Sequence, residues 1–130
     1  VVYEDMARFA HIFNVIDNNF DPVGCHRLRG RGYVQTTLDA YPQHDLRVWE
    51  LLEDRQYDQA EELYRSVFGR IQPFSEKVSK RTGGQSTVSK GLLAVMGHPV
   101  GPPRPPSKAL NEQEMAELRQ MAIDWGWPTP

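Results

Sequence analysis

The sequence predicts an α/β chain in which two short strands alternate with helices at the front and helices fill the rest. Three observations carry this. Ile12 to Ile16 (IFNVI) and Tyr33 to Thr37 (YVQTT) are short runs rich in β-branched or aromatic residues. Between them, Asp21-Pro22 supplies a capping side chain and a first-turn proline, which opens a helix reaching about Leu28. After Pro42 the apolar residues recur at steps of three and four. Strands joined by a helix lie parallel if they share a sheet. Two strands make no independent parallel sheet, because such sheets need several strands and cover on both faces. The expectation is that the sheet's other strands are supplied from elsewhere. The opening Val1-Val2-Tyr3, with the first methionine at Met6, adds the expectation of a longer chain.

Taken in order, Tyr3 to Ala10 has a helical pattern, with Tyr3, Met6 or Ala7, and Ala10 on one side. Ile12 to Ile16 is expected to be a buried strand, ended by the turn formers Asp17-Asn18-Asn19. Gly30 and Gly32 punctuate the end of the helix that follows Asp21. Asp45 to Glu53 offers Leu46, Trp49 and Leu52 as a buried stripe. Tyr57, Ala60, Leu63, Tyr64, Val67, Ile71, Phe74 and Val78 define a long amphipathic helix with a kink expected near Pro73, broken by Thr82-Gly83-Gly84. Gln85 to Met96 is a short apolar helix with Gly97 placed for a left-handed C-terminal residue. A strap with five prolines follows, and proline's missing amide donor excludes it from helix interior or central strand. In the last helix Asn111 caps, Glu114 completes a capping box, and Leu110 staples to Met115. Met115, Leu118, Ala122 and Trp125 form its buried stripe, and Gly126 ends it.

Composition narrows the function classes. The 130 residues carry a formal charge of −2, with 39% hydrophobic and 25% charged residues, as in a folded globular unit. Near-neutral charge gives no reason to expect nucleic acid or an anionic membrane surface. Arg27, Arg29 and Arg31 form a local basic cluster too small for a nucleic-acid footprint, and a solvated face is expected. One cysteine, Cys25, permits no internal disulfide and fits a reducing, cytoplasmic setting; a small buried thiol is the expected role. No apolar run approaches a membrane span, and no signal peptide is visible. His11, His26, His44 and His98 lack metal-ligand spacing, so no metal or cofactor is expected. Arg104, between prolines, is expected to tie the strap to an acidic side chain or a helix C-terminus. Trp49, Trp125 and Trp127 are expected in the core or against the strap.

The stretch from Ser89 to Gly126 carries a resemblance. An apolar helix, then the strap GHPVGPPRPP, then LNEQEMAELRQMAIDWG resembles the C-terminal end of the dihydrodipicolinate synthase / N-acetylneuraminate lyase family. That family is built on (β/α)8 barrels that use pyruvate through a lysine Schiff base. The resemblance implies that residues 1–42 are the last two βα units of a TIM barrel and that 43–130 are a C-terminal helical tail, with the Pro-rich strap at 99–106. Family members' last strand reads roughly Gly-x-Ile-Ser and is followed by a segment ending in proline; Gly32-Tyr33-Val34-Gln35 and Pro42 keep that spacing. Val34 takes the place of the aliphatic residue whose backbone lies against pyruvate, and Gln35 replaces the usual serine. Asp17-Asn18-Asn19 stands where the preceding strand usually ends Gly-Asp-Asp, with Asp17 in place of the glycine.

Strand C-termini open onto the active-site face of such a barrel. Asp17, Asn18, Asn19, Val34, Gln35, Thr36 and Thr37 are therefore the substrate-side candidates, with a plain turn as the alternative role for Asp17 to Asn19. The family's Schiff-base lysine and catalytic tyrosine sit on the sixth and fifth strands, which would precede Val1. Lys77, Lys80, Lys90 and Lys108 all follow the last strand, and Tyr33 is expected at the start of its strand, so no catalytic residue is assigned here. The partners implied are the remainder of the barrel, pyruvate or another 2-oxo acid, and further copies in a homo-oligomer. The rival expectation is a non-enzymatic helical interaction module, with the helices from Asp45 onward as a bundle. Parallel, adjacent front strands would separate the two.

Overall fold

The computed structural model describes every residue except Val1 and Gln85. Its elements are α1 (Val2–Ala7), β1 (Ile16–Asp17), α2 (Pro22–Arg27), β2 (Gly32–Tyr33), α3 (Pro42–Glu53), α4 (Tyr57–Thr82), α5 (Ser86–Val95) and α6 (Glu112–Asp124). They group into two compact units. The first comprises residues 1–35 and 46–63, the second residues 36–45 and 64–130, so α3 and α4 contribute to both. The division drawn from the sequence after residue 42 was one of role, barrel against tail; these units describe packing.

In the first unit β1 and β2 pair in parallel, Ile16 opposite Gly32 and Asp17 opposite Tyr33. Arg31 N donates to Val15 O at 2.8 Å and Val34 N to Asp17 O at 2.9 Å, extending the ladder at both ends. The crossover between them is α2. Asp21 caps it by accepting from Gly24 N at 2.9 Å, and Pro22 sits in the first turn, as its sequence predicts.

The strands are shorter than expected. Ile12 to Ile16 is not a buried strand: β1 begins at Ile16, and Ile12, Phe13 and Ile16 are 60%, 65% and 48% exposed. The second run is strand only at Gly32–Tyr33, its pairing ends with the Val34 N bond to Asp17 O, and Thr36 and Thr37 lie in a turn. Ladder formation needs a partner backbone. A β-forming run with one short neighbour is fixed only where that neighbour reaches. The opening helix stops at Ala7 and gives way to turns.

Helix α3 starts at Pro42, earlier than its apolar stripe suggested. It buries Asp45, Val48, Leu51 and Leu52, leaves Trp49 half-buried, and turns Leu46 outward at 57% exposure. The face is one position out of phase with the sequence expectation, because the buried polar Asp45 occupies the inner row in place of Leu46.

The second unit holds the main core. Val67, Ile71, Phe74 and Val78 of α4, Val88, Leu92 and Val95 of α5, and Leu118, Met121 and Ala122 of α6 are buried together, with Ala40, Met96 and Trp127. The helical spacing of these residues generates the stripe directly. α4 runs 26 residues as one element through Pro73, which is exposed. Trp127 packs against Tyr41, Trp125 and His44 at ring separations of 5.0, 4.8 and 6.0 Å. Burial lowers the pKa of His44 below its ordinary value.

α6 begins as expected. Asn111 Oδ1 accepts from Glu114 N at 2.8 Å, and Glu114 Oε2 accepts from Asn111 N at 2.8 Å. Ion pairs on the unit's surface join Arg70 to Asp124 at 2.8 Å, Lys77 to Glu117 at 2.6 Å, and Arg81 to Glu114. Arg104 departs from expectation: among the described residues its side chain meets no acidic partner, and it lies exposed in the strap.

Candidate functional site at the strand ends

Asp17 ends β1 and is 1% exposed. One carboxylate oxygen accepts from the Tyr3 hydroxyl and from Asn19 N at 2.8 Å, the other from Asp21 N at 3.0 Å. Desolvation raises its pKa above the ordinary carboxylate value, and the two backbone amides pull in the opposite direction. A short acid placed two and four residues before those amides is the side chain that closes such a turn. Asn18 and Asn19, which follow, are exposed. The arrangement therefore fixes Asp17 as the post of the loop and presents two carboxamides on it.

After β2, Val34 is 56% exposed and Gln35 is half-buried. Both belong to the first unit, with Asp17, Asn18 and Asn19. Thr36 and Thr37 belong to the second. There, Thr36 O accepts from Ser89 Oγ at 3.3 Å. Thr37 is fully buried, and its hydroxyl donates to Asp45 Oδ2 at 3.4 Å. The Thr37 carbonyl also accepts from Ala40 N and Tyr41 N, which shapes the turn into α3. The backbone pairing of Val34 with Asp17 is what brings the two strand ends of the first unit together; adjacency in sequence does not.

Among the described residues no activated nucleophile lies at these ends. Lys77 and Lys80 lie on α4, Lys90 on α5, and Lys108 between α5 and α6. Tyr33, expected at the start of a longer strand, is the last residue of β2 and packs on Trp49 at 6.3 Å. Cys25 is 1% exposed, and burial pushes its thiol up to about 11, so it stays protonated and unreactive near neutral pH. Among the described residues no group of His, Cys, Asp and Glu could hold a metal ion, and no helix is long and apolar enough to cross a membrane.

A second cluster was not visible in the sequence. His26 Nε2 meets Glu53 Oε1 at 2.9 Å, and its Nδ1 meets the Tyr57 hydroxyl at 3.3 Å. Trp49 stands edge-on to the imidazole at 5.4 Å, and Arg27 lies over the Tyr57 ring at 4.1 Å. Arg31 reaches the same Glu53 oxygen at 3.6 Å. The His26 bond holds the Glu53 carboxyl below its ordinary pKa. This cluster ties the end of α2 to the end of α3 and the start of α4, and Arg31 immediately precedes β2. In a parallel βα unit the strand starts are the side associated with stability rather than chemistry. The long separation of His26 from its partners left no local signal.

No family model matches the sequence, and no curated protein matches it. Among solved structures, the chain is similar to the crystal structure of a Pseudomonas aeruginosa protein provisionally assigned as a dihydrodipicolinate synthetase, with a TM-score of 0.77 and 17% sequence identity. That likeness covers 95% of this chain and 41% of the other, so the chain spans about two fifths of that protein's length. At this identity the likeness shows a shared fold over nearly all of this chain.

Proposed function

We propose that this chain is the C-terminal portion of a Schiff-base-forming, pyruvate-dependent aldolase or lyase, contributing the last two βα units of a TIM barrel and its helical tail. The single observation that carries the reading is the parallel, adjacent pairing of β1 with β2 across α2, in a chain that shares 95% of its length with the synthetase-like fold. Parallel strands are stable only in a larger sheet covered on both faces. The exposure of Ile12, Phe13, Ile16 and Val34 supports the remainder of the barrel as the partner that covers them. The same pairing argues against a helical interaction module, whose front segment would have no reason to form a parallel ladder.

In this reading the imine-forming lysine and the catalytic tyrosine come from the other part of the barrel. Asn18, Asn19, Val34, Gln35 and Thr36 contribute to the mouth, on the side where strand C-termini open. Asp17 is the post of the loop that carries Asn18 and Asn19, and Thr37 anchors the turn that carries Thr36. The substrate class is a 2-oxo acid such as pyruvate, with a C–C bond made or broken or a sugar acid dehydrated. Self-association and a cytoplasmic setting belong to the same proposal.

The test is reductive trapping. With pyruvate and borohydride, this chain alone is expected to gain no covalent adduct by mass spectrometry. Robust pyruvate-dependent labelling of Lys77, Lys80, Lys90 or Lys108 would overturn the assignment.

A further inference from the structure

The second unit contains a cleft that none of the preceding chemistry uses. It lies between α5, the proline strap and the start of α6, and has a volume of about 190 Å³. Its walls are apolar, formed by Ala94, Val100, Pro102, Leu110 and Met115, and the charged group among its lining residues is Lys90. The sides are held independently of any ligand. His98 N donates to Leu93 O at 2.8 Å and fixes where the strap leaves α5; Ser107 N donates to Arg104 O at 3.0 Å near its far end. The segment before α6 is pinned by Lys108 N to Thr82 O at 2.9 Å and by Arg81 Nη2 to Ala109 O at 3.0 Å. Proline in the strap removes backbone freedom that binding would otherwise have to quench.

Two features specify the occupant. Roughly 150 Å³ of apolar cavity takes one benzene ring, so this space suits a single ring or a branched aliphatic group, not a peptide or a polycycle. Lys90 is half-buried, lines the cleft and, among the described residues, has no acidic partner. An ammonium lining an apolar cleft pairs with an anion and repels an amine. We propose that this cleft is a binding site for a small free carboxylate with an aromatic or branched apolar body, its carboxylate paired with Lys90 and its body against Ala94, Val100 and Met115.

The probe is phenylacetate, titrated into the ¹⁵N-labelled chain, with phenylacetamide as the neutral control. Shifts are expected in residues 87–94, 99–103 and 109–115, with phenylacetate bound about fivefold more tightly than the amide, the size of a partly exposed ion pair. Lys90→Gln should abolish that preference while leaving the amide's affinity unchanged. Ala94→Trp should abolish both. If Ala94→Trp does not fold, Val100→Trp fills the same space from the exposed strap. No shifts at millimolar phenylacetate, shifts elsewhere in the chain, or a carboxylate preference that survives Lys90→Gln would each overturn the site.

Discussion

The two units of this chain end their helices with the same geometry but different residues. In the second unit the left-handed position after α4, α5 and α6 is glycine: Gly83, Gly97 and Gly126, at φ of 84°, 84° and 72°. In the first unit the position after α2 and α3 is arginine: Arg29 and Arg55, at φ of 71° and 59°. The hydrogen bonds are alike. Gly97 N and His98 N return to Ala94 O and Leu93 O, just as Arg55 N and Gln56 N return to Leu52 O and Leu51 O. An L-residue in this conformation costs about 1–2 kcal/mol that glycine does not. The first unit also exposes Phe9, Ile12, Phe13 and Ile16, whereas the second buries a three-helix core. The second unit closes its last three helices with the residue that the left-handed backbone favours. The first carries left-handed strain and uncovered apolar surface.

The largest effect should come from the core contrast. Leu118→Ala, at a fully buried position of α6, is expected to lower stability by about 3 kcal/mol. Phe13→Ser, at 65% exposure, should change it by less than about 0.5 kcal/mol in this chain. Urea melts of both variants measure the difference. Equal losses would mean that the exposed front residues already have a packed partner.

Next in size is the capping box. Asn111→Ala should cost about 1 kcal/mol by removing the acceptor for Glu114 N, and circular dichroism during the melt should show the loss in helix.

The closing residues sharpen the comparison further. Gly97→Ala should destabilise by about 1 kcal/mol, because an L-residue at a φ of 84° is strained and its Cβ would meet Pro130 Cγ at 3.0 Å. Arg55→Gly should stabilise by about 0.5 kcal/mol, the relief of the left-handed conformation less glycine's extra freedom in the unfolded chain. Thermal melts of the pair read the two signs. Two losses would show that Arg55 makes up for its backbone strain elsewhere.

The smallest effects concern acid, and they run in opposite directions. Glu114 has its pKa lowered, first by the Arg81 hydrogen bond. Its contribution is present above the ordinary value of 4.5 and is lost as pH falls through the folded value. Asp17 has its pKa raised by burial. Its contribution is full below 3.8 and is lost as pH rises through the folded value. Stability against pH for Glu114→Gln and Asp17→Asn, each subtracted from the parent, should therefore slope in opposite senses.

Much of the candidate site was legible because turn chemistry is local. Asp17-Asn18-Asn19 announced the loop after β1, and Asp21-Pro22 announced α2; both stand where the residues place them. The burial of Thr37 against Asp45 was not legible, since a threonine in a β-forming run reads as a strand residue until its neighbours are known. The His26–Glu53 contact was hidden for a related reason: no periodicity links the end of one helix to the end of the next.

By itself the sequence determined what depends on a few consecutive residues. It specified the βαβ order, the capped starts of α2 and α6, the glycines that close the last three helices, the apolar character of α5, and the buried stripes of α4 and α6. Only the tertiary structure decided how far β1 and β2 extend, which face α3 turns inward, and which candidate side chains are spent on the fold. Caps and helical stripes are encoded by contacts within a turn or two of the chain, whereas strand length and burial are set by whatever backbone and side chains pack alongside.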